Sequence, residues 1–199
     1  MTMKVQTDAI GLTTLILVLA SYSVFALTFF FQKKQPRVEE TRKASAAKWG
    51  IALQTIGFWL VWFVHRAMWW PFPASVTGEI ILAALSVVLA FGSNWWCWRS
   101  MQALGKQWTF QARLIREHDL ITTGPYAVVR NPIYLGMFGL MLSTGLALST
   151  WWARLGAVIF FLIGNQIRIR AEEALLREAF GPQFEDYASR VPAFFPRIP

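Results

Sequence analysis

Long stretches without charge alternate along this chain with short segments crowded with it, and each uncharged stretch is about as long as a bilayer is thick. Residues 9–31 carry no charged side chain. At 1.5 Å rise per residue a helix over them is about 34 Å long, enough for a hydrocarbon core of roughly 30 Å. A second stretch, 49–70, ends in His65, Arg66, Trp69, Trp70 and Pro71, an aromatic interfacial belt with a snorkelling arginine. A third stays uncharged from 80 to 98, up to Arg99. The last, 133–167, contains only Arg154, beside Ser149-Thr150-Trp151-Trp152, and is too long for one crossing, so a helical hairpin is expected to turn there. The predicted fold is all-α: a polytopic membrane protein with five transmembrane helices at about 9–31, 49–70, 79–101, 132–149 and 152–170, plus a cytoplasmic C-terminal helix. The first stretch is too long for the apolar region of a cleavable signal and no small-residue cleavage site follows it, so it is expected to remain as a span.

Composition fits a lipid solvent. Hydrophobic residues make up 55% and charged residues 15% of 199 positions, against about 45–50% and about 25% in soluble domains. The placement of positive charge tests the span count independently, because lysine and arginine favour the cytoplasmic side. Segment 32–48 holds Lys33, Lys34, Arg37, Arg42, Lys43 and Lys48; segment 99–132 holds Arg99, Lys106, Arg113, Arg116 and Arg130; the tail 168–199 holds Arg168, Arg170, Arg177, Arg190 and Arg197. Only Lys4, Arg66 and Arg154 of the 19 positives fall on the other side. The expectation is a multi-pass protein of an inner or plasma membrane, N-terminus out and C-terminus cytoplasmic. It forms a single membrane domain over 1–199, with a three-span part at 1–103 and a C-terminal part at 104–199 that carries the chemistry.

The net charge of +8 marks loops facing an anionic leaflet, so no nucleic-acid partner is expected. The single cysteine, Cys97, lies in the third span, which excludes a disulfide framework and a cysteine-based metal site. The two histidines belong to opposite membrane faces, so no metal is expected.

Polar residues crowd against the membrane in two segments, 111–136 and 168–187. In the first, Gly124-Pro125-Tyr126 is turn chemistry, and Asn131-Pro132 marks a helix start, with Asn capping free amides and Pro suiting the first turn. Such a helix start attracts carboxylate or phosphate groups, although a plain capped span reads the same way. In the second, Arg168 and Glu172 stand at i, i+4 on one helical face, in the order opposite to the one that best stabilises a helix. Ionisable groups emerging from a bilayer are functional candidates, whereas Arg177, Glu178, Glu185 and Asp186 suit a solvated helix ending at Gly181-Pro182.

These residues carry a resemblance. His118, Thr122, Gly124, Tyr126, Arg130, Pro132, Tyr134 and Gly136, followed by Arg168, Glu172-Glu173, Phe180-Gly181, Tyr187 and Val191-Pro192, resemble the isoprenylcysteine carboxyl methyltransferase family of membrane enzymes, related to phospholipid N-methyltransferases. The match covers roughly 104–196; the first three spans match by hydropathy alone. It implies S-adenosylmethionine as cofactor, contacted by Gln111, His118, Asp119, Leu120, Ile121, Tyr126, Asn131, Pro132, Ile133, Tyr134, Glu172 and Glu173. It places Arg168 against the methyl acceptor, with Arg168 and Glu172 as the catalytic pair. One departure is Asn131, where the family usually has histidine; an amide replaces one imidazole hydrogen bond but neither its charge nor its stacking.

The implied partners are a lipophilic small-molecule or prenylated substrate and membrane lipids, the acceptor tail entering laterally between spans. A carboxylate acceptor is already ionised at neutral pH and needs only orientation, which Arg168 can give, whereas an amine must first lose a proton. Carboxyl O-methylation of an isoprenylcysteine-like or lipid acid is therefore expected first. Phospholipid N-methylation, an NADPH-dependent sterol or lipid reductase and a non-catalytic scaffold remain alternatives at this point.

Overall fold

A computed structural model describes residues 9–30, 42–43, 47–64, 76–105, 113–114 and 120–197. Six helices account for most of them: α1 (Ala9–Phe30), α2 (Ala47–Phe63), α3 (Val76–Leu104), α4 (Pro132–Leu148), α5 (Trp151–Phe180) and α6 (Pro182–Arg190). A short 3-10 helix, Gly124–Ala127, precedes α4. The all-α expectation holds apart from a two-residue antiparallel bridge in which β1 (Arg42–Lys43) pairs with β2 (Arg113–Leu114).

That bridge ties the α1–α2 connection to the α3–α4 connection, so these two basic segments share one end of the bundle. At the other end, the hydroxyl of Ser149 in the α4–α5 turn donates to the Val61 carbonyl near the end of α2 at 2.6 Å. Successive helices from α2 to α5 thus run alternately up and down. The hairpin turns at Ser149-Thr150, where the charge pattern put it.

The helices depart from the expected spans mainly at their ends. α3 extends beyond 79–101 on both sides, because a helix continues past its apolar portion when polar residues still suit it. α5 does not stop at 170: it runs unbroken for 30 residues, and only at Gly181, with φ +48, does the chain turn into α6. The apolar hairpin arm and the ionisable stretch are therefore one rigid rod. Two helical stretches are long and apolar enough to cross a membrane, Ile10–Thr28 and Thr77–Leu104; α4 is apolar but has 17 residues. The end of the second expected span, 65–70, lies outside the described residues.

Small residues bring the helices close. A Cβ on Gly136 of α4 would meet the Cys97 sulfur of α3 at 2.3 Å, and one on Gly139 the Ser93 hydroxyl at 2.2 Å. Ser86 donates to the Ser143 carbonyl at 2.8 Å, and Asn94 to that of Ser21 at 2.8 Å. Close backbones joined by short polar side chains are how helices associate where lipid offers no hydrophobic drive. The central cluster, Val61, Tyr134, Met141, Ala157, Phe161, Ile169 and Phe194, joins α2, α4, α5 and the C-terminal segment. Outward-facing side chains are just as apolar: Val88 is 71% exposed, Trp49 73% and Phe63 63%.

Candidate active site at the α2–α4–α5 junction

The candidate site forms where α5 leaves its apolar portion. Arg168 is 7% exposed and held from three directions. One terminal nitrogen, Nη1, donates to Gln54 Oε1 on α2 at 3.1 Å; Nη2 lies 3.6 Å from Glu172 Oε1 one turn along; the guanidinium carbon sits 4.5 Å from the centroid of the Tyr134 ring on α4. Tyr134 in turn donates its hydroxyl to the same Glu172 oxygen. The Nε of Arg168 is buried without a hydrogen-bond partner among the described residues. A buried guanidinium with one unused donor favours an anion brought from outside.

Burial pushes the Glu172 carboxyl above its usual range, and the neighbouring Arg168 charge and the Tyr134 hydroxyl pull it back. Tyr126, buried in the 3-10 helix, is held well above the usual phenol range by burial and then by the negative charge of Glu172, and so stays a neutral ring beside that carboxyl. Burial pushes Tyr187 up to about 12; its hydroxyl donates to the Tyr126 carbonyl at 2.7 Å, which fixes the 3-10 turn against α6.

Among the residues singled out from sequence, Arg168, Glu172 and Tyr134 come together, with Tyr126 near them. Leu120 and Ile121 are half-buried in the segment before the 3-10 helix. Pro132 is fully buried as the first residue of α4, and the Ile133 carbonyl accepts from the Cys97 thiol at 3.5 Å. Gln111, His118 and Asp119 lie outside the described residues.

Asn131 corrects one expectation. It does occupy the N-cap position of α4, but its side chain makes no capping bond; Nδ2 donates instead to the Ala193 carbonyl at 2.9 Å. The C-terminal segment crosses over this helix start, and the bond from Nδ2 turns the Asn131 side chain toward it, leaving the first amides of α4 without a cap from Oδ1. Glu173 is likewise engaged away from Tyr134. Its Oε1 accepts from Arg130 Nε at 2.9 Å and lies 2.8 Å from Arg130 Nη2, while Oε2 is 3.3 Å from Arg177. The sequence reading missed Gln54 and Asn165, two buried amides within the helices of the bundle, of which Gln54 interrupts a stretch of mostly apolar residues, itself a signal.

Residues 80–183 match the model of the phospholipid methyltransferase family. A nickel-cobalt-cadmium resistance protein from Alcaligenes xylosoxydans xylosoxydans is 34% identical over 120 residues, 60% of this chain and 50% of that protein. A cobalt-zinc-cadmium resistance protein from Cupriavidus metallidurans is 33% identical over 124 residues, 60% of this chain and 50% of its own. A protein-S-isoprenylcysteine O-methyltransferase from Schizosaccharomyces pombe is 38% identical over 85 residues, 42% of this chain and 36% of that enzyme. The chain spans about half the length of the first two of these relatives.

Proposed function

Because the chain belongs to the phospholipid methyltransferase family, which its residues 80–183 match, we propose that it is a multi-pass membrane methyltransferase that uses S-adenosylmethionine to methylate the carboxylate of a lipophilic acceptor, a prenylcysteine-like or lipid acid. The observation that carries the carboxylate reading is the buried Arg168 with its Nε unpaired beside Glu172 and Tyr134.

The donor chemistry of the junction suits that cofactor. When bound, S-adenosylmethionine supplies a methyl group on a positively charged sulfur, open to in-line attack. Glu172 accepts from its amino or ribose groups. Tyr126, Leu120 and Ile121 offer apolar surface to the adenosine, with Asn131, Pro132 and Ile133 framing the site through the start of α4. Gln111, His118 and Asp119 complete the contact set this reading assigns.

Arg168 takes the acceptor carboxylate on its Nε and Nη2 edge, a charge-assisted pair that fixes one oxygen as the nucleophile. The cofactor would supply the methyl on its sulfonium to the oxygen that Arg168 fixes, leaving a methyl ester and a neutral thioether. No proton moves, so no general base is required of Glu172. Holding the two reactants in line supplies roughly 7–11 kcal/mol of the barrier. The attacking nitrogen of an amine gains nothing from a buried arginine, whereas an attacking carboxylate is held by it directly.

The same reading carries the topology: five crossings, N-terminus out, and the site at the cytoplasmic end of the C-terminal part at 104–199. It is supported by apolar side chains facing outward on α2 and α5 as well as on α1 and α3, among them Trp59, Leu155, Ile159 and Ile163.

The test is calorimetric titration of detergent-purified protein with S-adenosylhomocysteine. Saturable binding by wild type, lost in Glu172→Gln, supports the proposal. Absence of binding by folded wild type, or saturable binding of NADPH in its place, overturns it.

A further inference from the structure

Two amides lie beneath Arg168. Gln54 on α2 is 3% exposed and Asn165 on α5 is 2% exposed, and at such burial an unpaired amide is costly. Gln54 Oε1 accepts from Arg168 Nη1 at 3.1 Å, and Gln54 Nε2 faces Asn165 Oδ1 at 3.5 Å. The guanidinium has donors only, so it dictates the direction of the chain: the Gln54 carbonyl turns to Arg168, its NH2 to Asn165, and Asn165 presents its carbonyl.

Two glycines bring Gln54 within reach. A Cβ on Gly50, one turn before Gln54, would lie 2.4 Å from Arg168 Cγ and 2.6 Å from the Gly164 carbonyl. A Cβ on Gly164, one turn before Arg168, would lie 2.6 Å from the Gly50 carbonyl and 3.0 Å from the Gln54 backbone nitrogen. A side chain at either position forces α2 away and breaks the contact. The arrangement pins Nη1 toward α2 and leaves the Nε side of Arg168 without a partner among the described residues. A long side chain held only by a ring face and a 3.6 Å ion pair would otherwise keep several rotamers.

We propose that Gln54, oriented by Asn165, is a positioning residue that holds Arg168 with its Nε edge turned to the methyl acceptor. The proposal rests on the methyltransferase reading and adds to it the device on α2 that aims the acceptor contact.

The test uses the full chain in detergent, with N-acetyl-S-farnesylcysteine as acceptor and S-adenosylmethionine as donor, on Gln54→Met, Asn165→Leu, Arg168→Lys and the Gln54→Met/Arg168→Lys double variant. Gln54→Met keeps the volume and removes the acceptor of Arg168. It is expected to raise the KM for the farnesylcysteine about tenfold, with affinity for S-adenosylhomocysteine kept within about twofold. Asn165→Leu moves the same parameter less, and carries the test alone if Gln54→Met does not fold. In the Arg168→Lys background, Gln54→Met adds nothing, because its effect passes through the guanidinium. Multiplying effects in the double variant, or a lowered Tm with an unchanged acceptor KM, overturns the proposal and leaves the amides structural. A wild type that neither binds S-adenosylhomocysteine nor transfers methyl removes the methyltransferase reading and this one with it. Turnover by wild type matched by Gln54→Met removes this one alone.

Discussion

The guanidinium of Arg168 lies 4.5 Å from the centroid of the Tyr134 ring, and the hydroxyl of that ring donates to Glu172, one helical turn beyond Arg168. A single side chain on α4 thereby touches both Arg168 and Glu172 of α5, and two substitutions separate its two roles. Tyr134→Phe keeps the ring beneath the guanidinium and removes the donor to Glu172. Affinity for S-adenosylhomocysteine is expected to fall about tenfold, the lower end for a hydrogen bond to a charged group, because the Glu172 side chain is still 24% exposed. Tyr134→Leu removes the ring as well and raises the acceptor KM further, a cation–π contact being worth about 1 kcal/mol or more when desolvated. Calorimetry and initial rates on both variants check this; a Tyr134→Phe protein that binds as wild type does shows that the hydroxyl does not orient Glu172.

The α2–α5 contact makes a prediction about stability. Gly50→Ala sets a methyl 2.4 Å from Arg168 Cγ and 2.6 Å from the Gly164 carbonyl, and the backbone atom cannot yield as a flexible side chain does. A loss of about 1–3 kcal/mol is expected, the usual cost of overpacking, read as a lowered Tm in detergent. Gly92→Ala on α3 is the control: nothing lies within 4 Å of its added carbon, and the helix should gain slightly from alanine. Equal Tm for Gly50→Ala and wild type would mean that the helices can separate without cost.

What could be read from sequence here was whatever depends on near neighbours along the chain. Arg168 and Glu172 sit four residues apart on one helix, so their shared face followed from spacing, and the hairpin turn followed from Arg154 and the serine-threonine pair interrupting an apolar run. Tyr134 reaches Glu172 across 38 positions and Gln54 reaches Arg168 across 114, which no local periodicity encodes. Adjacent residues on a helix point about 100° apart, so Glu172 and Glu173 could not both face Tyr134, and the second turns to Arg130. The capping expectation at Asn131 gave way for a different reason. A local capping rule placed that residue at the helix start, but its Nδ2 bond to the Ala193 carbonyl, 62 positions later, turns the side chain toward the C-terminal segment and Oδ1 caps no amide.

Glu172 gives the site a dependence on pH whose sign follows from its environment. Burial raises its folded-state pKa above the ordinary 4.5, so the folded protein holds this proton more tightly than the unfolded chain does. Its contribution to stability is present below about 4.5 and is lost as pH rises through the folded value. Binding runs the other way, since only the ionised carboxylate attracts the cofactor's amino group. Affinity for S-adenosylhomocysteine should strengthen as pH rises through the acidic range and level off once the carboxyl is ionised, with the midpoint above that of a free glutamate. Titrations across this range check it: Glu172→Gln should bind weakly with no such slope, and a wild type equally flat would show that Glu172 does not bind the amino group.

The C-terminal segment is tied to the start of α4 by Arg130. Its Nε donates to Glu173 at 2.9 Å, its Nη1 to the carbonyls of Ala188, at 2.9 Å, and Val191, and its backbone N–H to the Pro192 carbonyl at 2.9 Å. Asn131 adds the bond to Ala193, and Phe194 packs edge-on against Phe138 with centroids 5.8 Å apart. Arg130→Lys cannot reproduce a planar fork serving a carboxylate and two carbonyls at once. Lysine keeps the charge beside Glu173, but buried carbonyls left short of a donor cost about 1–3 kcal/mol, so a fall in Tm and faster proteolysis of the tail are expected. Asn131→Ala loses one neutral hydrogen bond, about 1 kcal/mol, and should leave S-adenosylhomocysteine affinity within about twofold, because its side-chain amide already serves the strap. A large loss of affinity in Asn131→Ala at unchanged Tm would place that amide in the cofactor site instead. The two measurements together separate a residue that holds the strap over the helix start from one that touches the ligand.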